Sequence, residues 1–113
     1  EVGNTVVKTN LAKQSSLDIV KDGMREAVVG SRASVSQVAN VGIEVAAKTG
    51  TAEFGAVDKD GNYEHTHAWV GGFFPYDSPK YSFSIFLEDG GESYNATNVM
   101  KEVITWMVQN KKI

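Results

Sequence analysis

Between residues 43 and 88 the sequence alternates β-rich runs with turn signals too short to hold a crossover. The first run, IEVAAKTGTAEF at 43–54, leads into VDKDGNYE, where Asp60-Gly61 marks a tight turn. The second, HTHAWVGGFFPY at 65–76, is rich in aromatic and β-branched residues. DSPK then turns the chain around Pro79. In YSFSIFLE, Tyr81, Phe83 and Ile85 fall on one face and Ser82 and Ser84 on the other, and Asp89-Gly90-Gly91 closes the run. Parallel neighbours need a connection of a dozen residues or more, so links this short force an antiparallel meander.

Helical patterns flank the meander. Over roughly 16–29, Leu17, Val20, Met24, Ala27 and Val28 recur at helical spacing. Ser15 or Ser16 is the expected N-cap, Asp18 favours the positive end of the dipole, and Gly30-Ser31 stops the helix. Over roughly 95–111, Val99, Val103, Trp106 and Met107 share a face, with Ile104 and Val108 at its edge and Lys111-Lys112 at the negative end. Residues 3–9 read as a short β-type segment and 31–42 as an irregular connection with scattered valines. Phe73, Phe74, Tyr81, Phe83 and Trp106 are the expected core between sheet and helices, and Gly71-Gly72 predicts a bulge or a close backbone approach. The expected fold class is α+β, a three-strand antiparallel sheet flanked by helices.

A chain of 113 residues, 42% hydrophobic and 22% charged, fits a single small globular unit, 1–113. The net charge of −3 comes without a basic stripe, which argues against nucleic acid as a partner. The absence of cysteine excludes disulfides and thiolate metal sites. No apolar run approaches the roughly 20 residues that span a bilayer. A start at Glu1 rather than Met suggests a processed product or part of something longer.

The residues with the most specific chemistry are Lys48-Thr49-Gly50-Thr51. The lysine supplies a charge and three donors, the threonines supply hydroxyls suited to a carboxylate, and the glycine admits a ligand backbone close to the strand. On these four residues alone the plainer reading is better: an exposed edge strand whose lysine discourages aggregation.

The wider order reverses that preference. AAKTGTAE, a hairpin loop, HAWVGGFFP, a strand ending in LEDG and a terminal helix, all preceded by the helix LDIVKDGMREAVV, resemble the end of a penicillin-binding protein transpeptidase domain of the class B, monofunctional type. The resemblance covers nearly the whole chain and implies part of a β-lactamase/transpeptidase-like fold, incomplete relative to the family. It implies that Lys48 points into a cleft and supports the proton network around a serine nucleophile. It also implies that Thr49 and Thr51 bind the substrate's terminal carboxylate or that of a β-lactam, and that the Thr51 N–H forms half of an oxyanion hole. Lys48 and Thr51 are thus the candidate catalytic residues, and Thr49, Gly50, Thr51 and Trp69 the candidate substrate-binding residues. No cofactor is implied.

The sequence departs from the family in places. Ala47 stands where the family has glycine before the lysine, and GSRAS at 30–34 replaces a GGTA-like segment. Neither Ser-x-x-Lys nor a Ser-x-Asn upstream of the lysine strand occurs. Ser93-Tyr94-Asn95 follows that strand, and Asn95 or Thr97 reads as a residue near the cap of the last helix. A covalent mechanism needs the serine and its base, so the chain alone is expected to be inactive.

Two metal-like patterns read more simply. Asp58 to Glu64 carries alternating oxygen ligands, but its glycine is misplaced for an EF-hand, and a hairpin tip is the better reading. His65 and His67 share a strand face without a third ligand, so no metal is expected.

The resemblance implies a parent that cross-links peptidoglycan stem peptides through a serine acyl-enzyme and is acylated by β-lactams. That parent would be anchored by an N-terminal helix at the extracytoplasmic face of the bacterial membrane. Its partners would be the stem peptide, β-lactams and the rest of its own domain, with homodimerisation through an open sheet edge as a further expectation. A serine β-lactamase or β-lactam sensor shares the lysine strand and is the alternative within enzymes. A non-catalytic binding or structural module is the alternative outside them.

Overall fold

The computed structural model describes residues 8–113. Most of the segment expected at 3–9 lies outside these residues, and Lys8 and Thr9 are not in a strand. Helix α1 spans Gln14–Val29, β1 Ala46–Val57, β2 Tyr63–Phe74, β3 Tyr81–Leu87 and α2 Ser93–Gln109, with a single 3₁₀ turn at Ser36–Val38. The strands form an antiparallel sheet in the order β1-β2-β3. The expected α+β meander is therefore the fold.

The hairpin joining β1 and β2 is closed by Asp58. Its carboxylate accepts the N–H groups of Asp60 and Asn62, and Gly61 supplies a positive φ of 87°. The register slips between Phe54 and Val57, where Gly55 also has positive φ, so a bulge lies before the turn. At Gly71-Gly72 the register is continuous, and close approach is the correct reading. A Cβ on Gly72 would strike the Ala46 carbonyl oxygen and lie 2.9 Å from the Ala47 Cα. The missing side chain on Gly72 makes room for Ala47 directly across the ladder, and Ala47 is itself in the core.

Val70 and Ala68 of β2, Phe74 at its end, and Ala96, Met100 and Ile104 of α2 form the centre of the core. Burying each of the large ones contributes about 1.5–3 kcal/mol. Val35, Val38 and Val41 join them, so the segment read as an irregular connection is a core element. Its valines follow the three-residue repeat of the 3₁₀ turn and its flanks, a period shorter than that of an α-helix.

Several expectations are corrected. α1 begins at Gln14 with Lys13 in the cap position and no side-chain cap; the Asp18 carboxylate accepts a bond from the Gln14 amide instead. Leu17 and Val20 are exposed, and among the residues expected on the α1 face Val28 alone is fully buried. α2 buries Ala96, Thr97, Met100 and Ile104, leaving Val99, Val103 and Trp106 exposed. Trp106 and Tyr81 are thus not core residues, whereas Phe74 is, and Phe83 packs against it. The α2 cap is Glu92. Asn95 donates to the Gly90 carbonyl, Thr97 donates back to Ser93, and Lys111-Lys112 lie beyond the last turn.

Candidate functional site

Alternation along β1 separates the four residues of the lysine motif. In an antiparallel ladder, directly paired residues share a face. Lys48 pairs with Gly71 and Gly50 with Trp69, while Thr49 pairs with Val70 and Thr51 with Ala68. Lys48, Gly50 and Trp69 therefore lie on one face of the sheet. Thr49 and Thr51 lie on the other, the face that carries the core residues Val70 and Ala68. The two sets of groups converge only at the edge of the strand.

The backbone at that edge points in a known direction. Two residues before β1, the Glu44 carbonyl accepts the N–H of Tyr76, two residues past β2, at 3.0 Å, which turns the even-numbered backbone groups toward the β2 side. The Val45 carbonyl is taken from outside by Arg25 Nη1 at 2.9 Å, and the Thr49 carbonyl by Lys48 Nζ at 2.7 Å. Odd-numbered residues thus turn their backbone groups away from β2, and by the two-residue period Thr51 does so too. The Thr51 side chain is exposed, and that of Thr49 is half-buried.

Lys48 lines an open groove of ≈ 370 Å³ between β1 and the end of α1. Glu26, Gly30, Arg32 and Ser34 form its other side. Two cations and one carboxylate thus border the same space, which favours an anionic ligand group. Gly50 has no Cβ, and one built there would sit 3.4 Å from the Trp69 Cβ, so the strand surface at Gly50 lies close against the tryptophan.

Trp69 belongs to an aromatic row on the Lys48 face. It tilts against Phe86 at 4.4 Å between ring centroids, and Phe86 meets the edge of His67 at 5.1 Å. Phe54 stacks on both His67 and His65, at 4.1 and 5.0 Å. His67 Nδ1 accepts the Asp89 N–H at 3.1 Å, which requires that nitrogen to be unprotonated, and His65 Nδ1 lies 3.0 Å from the Asp89 carboxylate. These imidazoles fasten the β3–α2 turn to β2. Among the described residues no group of three or more His, Cys, Asp or Glu is placed to hold a metal ion.

The sequence reading did not single out the residues across the groove, Glu26 and Arg32, nor Arg25. Arg25 interrupts the apolar stripe of α1 next to Met24, and that interruption was the available signal.

The family model described as the penicillin binding protein transpeptidase domain matches residues 1–105. The chain is 36% identical over 70 residues to the peptidoglycan D,D-transpeptidase PbpA of Mycolicibacterium smegmatis, covering 62% of this chain and 14% of that protein. It is 28% identical over 112 residues to the peptidoglycan D,D-transpeptidase MrdA of Haemophilus influenzae, covering 90% of this chain and 17% of that one. A penicillin-binding protein (PBP2) of Helicobacter pylori, solved in complex with MreC, shares the fold with a TM-score of 0.70 at 23% identity. That match covers 88% of this chain and 18% of the solved one. The chain thus spans less than a fifth of the length of the relatives it matches.

Proposed function

This chain belongs to the penicillin-binding protein transpeptidase family, and on that premise we propose that it is one wall of a peptidoglycan D,D-transpeptidase active site. The observation that carries the reading is the edge of β1. Lys48 lies on one face, Thr49 and Thr51 on the other, and the outward backbone groups of both threonines lie between them.

An edge strand with free N–H and C=O groups pairs with an extended peptide. The Thr49 and Thr51 hydroxyls, with the cations Lys48 and Arg32 beside the groove, bind the terminal carboxylate of a stem peptide or of a β-lactam. A serine outside these residues attacks the substrate carbonyl. The outward N–H of Thr51 donates to the oxygen on which negative charge develops, an effect of about 3 kcal/mol for one such donor. The C–N bond breaks, the leaving amine takes a proton, and an acyl-enzyme remains. Attack by the amine of a second stem peptide then forms the cross-link and releases the serine. Lys48 holds the field and the proton network around that serine, and Trp69 forms the wall beneath Gly50.

The remainder of the domain completes the fold. Among the described residues β3 is the second edge of the sheet, and Val99, Val103 and Trp106 of α2 lie uncovered beside the buried face of that helix. Apolar surface and an open edge of this kind suit a further strand and helix from the same protein. Without them the segment pairs with a second copy or is marginally stable. Among the described residues no helix is long and apolar enough to cross a membrane. The parent acts outside the cytoplasmic membrane, held by an anchor beyond these residues.

Labelling of the full-length protein with a fluorescent penicillin tests the reading. A stoichiometric, long-lived covalent adduct is expected. Fast release of the label would assign the site to a β-lactamase instead, and no label at all would refute acyl transfer.

A further inference from the structure

Immediately before β1 the outward side of the chain is held by Arg25. Arg25 projects from α1 and is largely buried, with 17% of its side chain exposed. Its Nη1 donates to the carbonyl of Val45, a residue with no exposed surface. Its Nη2 donates to Glu44 at 2.8 Å, and its guanidinium lies 5.8 Å from the Tyr76 ring centroid. Tyr76 is fixed in turn: its hydroxyl donates to Asp22 at 2.6 Å and its N–H to the Glu44 carbonyl. The bond to Asp22 holds the tyrosine hydroxyl above its usual pKa of 10.0.

The two hydrogen bonds that Arg25 donates differ in weight. Glu44 is 55% exposed, and an ion pair to a half-solvated carboxylate contributes little. The Val45 carbonyl is the group that matters, because a buried acceptor left unmade carries its full desolvation cost. Val45 immediately precedes β1, three residues from Lys48, with its backbone turned to the same edge as Thr49 and Thr51.

We infer that Arg25 is a positioning residue for the active-site edge: by capping the Val45 carbonyl it fixes the height of β1, and so the placement of Lys48 and of the outward groups of Thr49 and Thr51. The inference rests on the function proposed above. Arg25 touches no substrate and acts through the strand.

The test uses the full-length protein and three variants, Arg25→Met, Arg25→Lys and Glu44→Ala. The readouts are the limiting acylation rate at saturating fluorescent penicillin, per acylatable molecule, and hydrogen exchange of the β1 amides. Arg25→Met is expected to lower the limiting rate about tenfold, since small misplacements of reacting groups have effects of this size or larger. Arg25→Lys, which keeps one donor for the carbonyl, falls between Met and wild type. Glu44→Ala stays within about twofold of wild type, as expected for an exposed pair. Amides 46–51 exchange faster in Arg25→Met and not in Glu44→Ala. If Arg25→Met does not fold, Arg25→Lys decides: a rate equal to wild type overturns the inference, and a reduced one with Glu44→Ala unchanged supports it. A purely structural role predicts fewer acylatable molecules with an unchanged rate, and Glu44→Ala as damaging as Arg25→Met, and either result overturns the inference. A wild-type protein that takes no label removes the proposed function, and the exchange data then decide whether Arg25 holds the strand.

Discussion

Lys48 and Thr49 are neighbours in the chain, lie on opposite faces of β1, and meet at its edge, where the lysine Nζ donates to the threonine carbonyl at 2.7 Å. One side of an edge strand thereby presents a cation, hydroxyls and the outward backbone groups of Thr49 and Thr51 together. On the proposed function, an extended ligand at this edge is expected to displace the lysine from the carbonyl and free it for the reacting centre.

Lys48→Ala in the full-length protein is expected to lower the acylation rate by about 10²–10⁴-fold, the range for loss of a positioned acid–base group. The melting temperature stays nearly unchanged, because Lys48 is exposed and, among the described residues, its ammonium bonds only to its neighbour's carbonyl. Thr51→Ala keeps the backbone N–H and loses the hydroxyl. It weakens β-lactam binding by about 1.5–3 kcal/mol, the contribution of a hydrogen bond to a charged group, with a smaller effect on the limiting rate. Stopped-flow acylation at varied β-lactam concentration separates the two effects. Equal losses in both parameters for both variants would contradict these roles.

Gly72→Ala is expected to destabilise the fold by about 3 kcal/mol, the upper part of the overpacking range. The added methyl meets the Ala46 carbonyl oxygen and the Ala47 Cα, both backbone atoms that cannot step aside. Gly61→Ala, with no atom within 4 Å but a φ of 87°, is the comparison: its cost is conformational and smaller. Chemical denaturation of both variants measures the difference. A Gly72→Ala protein as stable as Gly61→Ala would show that β1 and β2 are further apart than described.

The hairpin tip has its own pH dependence. The Asn62 N–H, then the Asn62 side chain and the Asp60 N–H, hold the Asp58 carboxyl below its ordinary value of 3.8. A carboxylate with a lowered pKa in the folded state adds stability above the unfolded value and loses it as pH falls through the folded one. The Asn62 amide resonance should therefore titrate with a midpoint below 3.8, and Asp58→Asn should abolish that titration. A midpoint at or above 3.8 would mean that the turn bonds are not formed.

Much of this fold was legible in the sequence, for physical reasons that also explain the misses. The three strands and their order follow from short links and the Asp60-Gly61 turn, because antiparallel pairing is the one arrangement such links allow. The α2 face was misjudged because Val99, Val103 and Trp106 adjoin Ala96, Met100 and Ile104 around the helix, giving an apolar sector too wide for periodicity to choose its buried half. The small Ala96 and the flexible Met100 allow close approach to the sheet, and the bulky Trp106 stays outside. Val35, Val38 and Val41 looked irregular because a three-residue repeat imitates neither helix nor strand. In the site, Lys48, Gly50 and Trp69 were expected with Thr49 and Thr51 around one ligand. The strand period places the two groups on opposite faces, so the edge itself is the shared surface. Arg25 and Arg32 reach that region from other elements, and nothing local in the sequence connects them to it.

The most direct measurement is peptide mapping of the residue acylated by a penicillin in the full-length protein, by mass spectrometry after proteolysis. The expected result is a single adduct on a serine outside residues 1–113, formed slowly or not at all in Lys48→Ala. An adduct on any residue within 1–113, or an unimpaired adduct in Lys48→Ala, would contradict the assignment of this chain as the lysine-bearing wall of a shared active site.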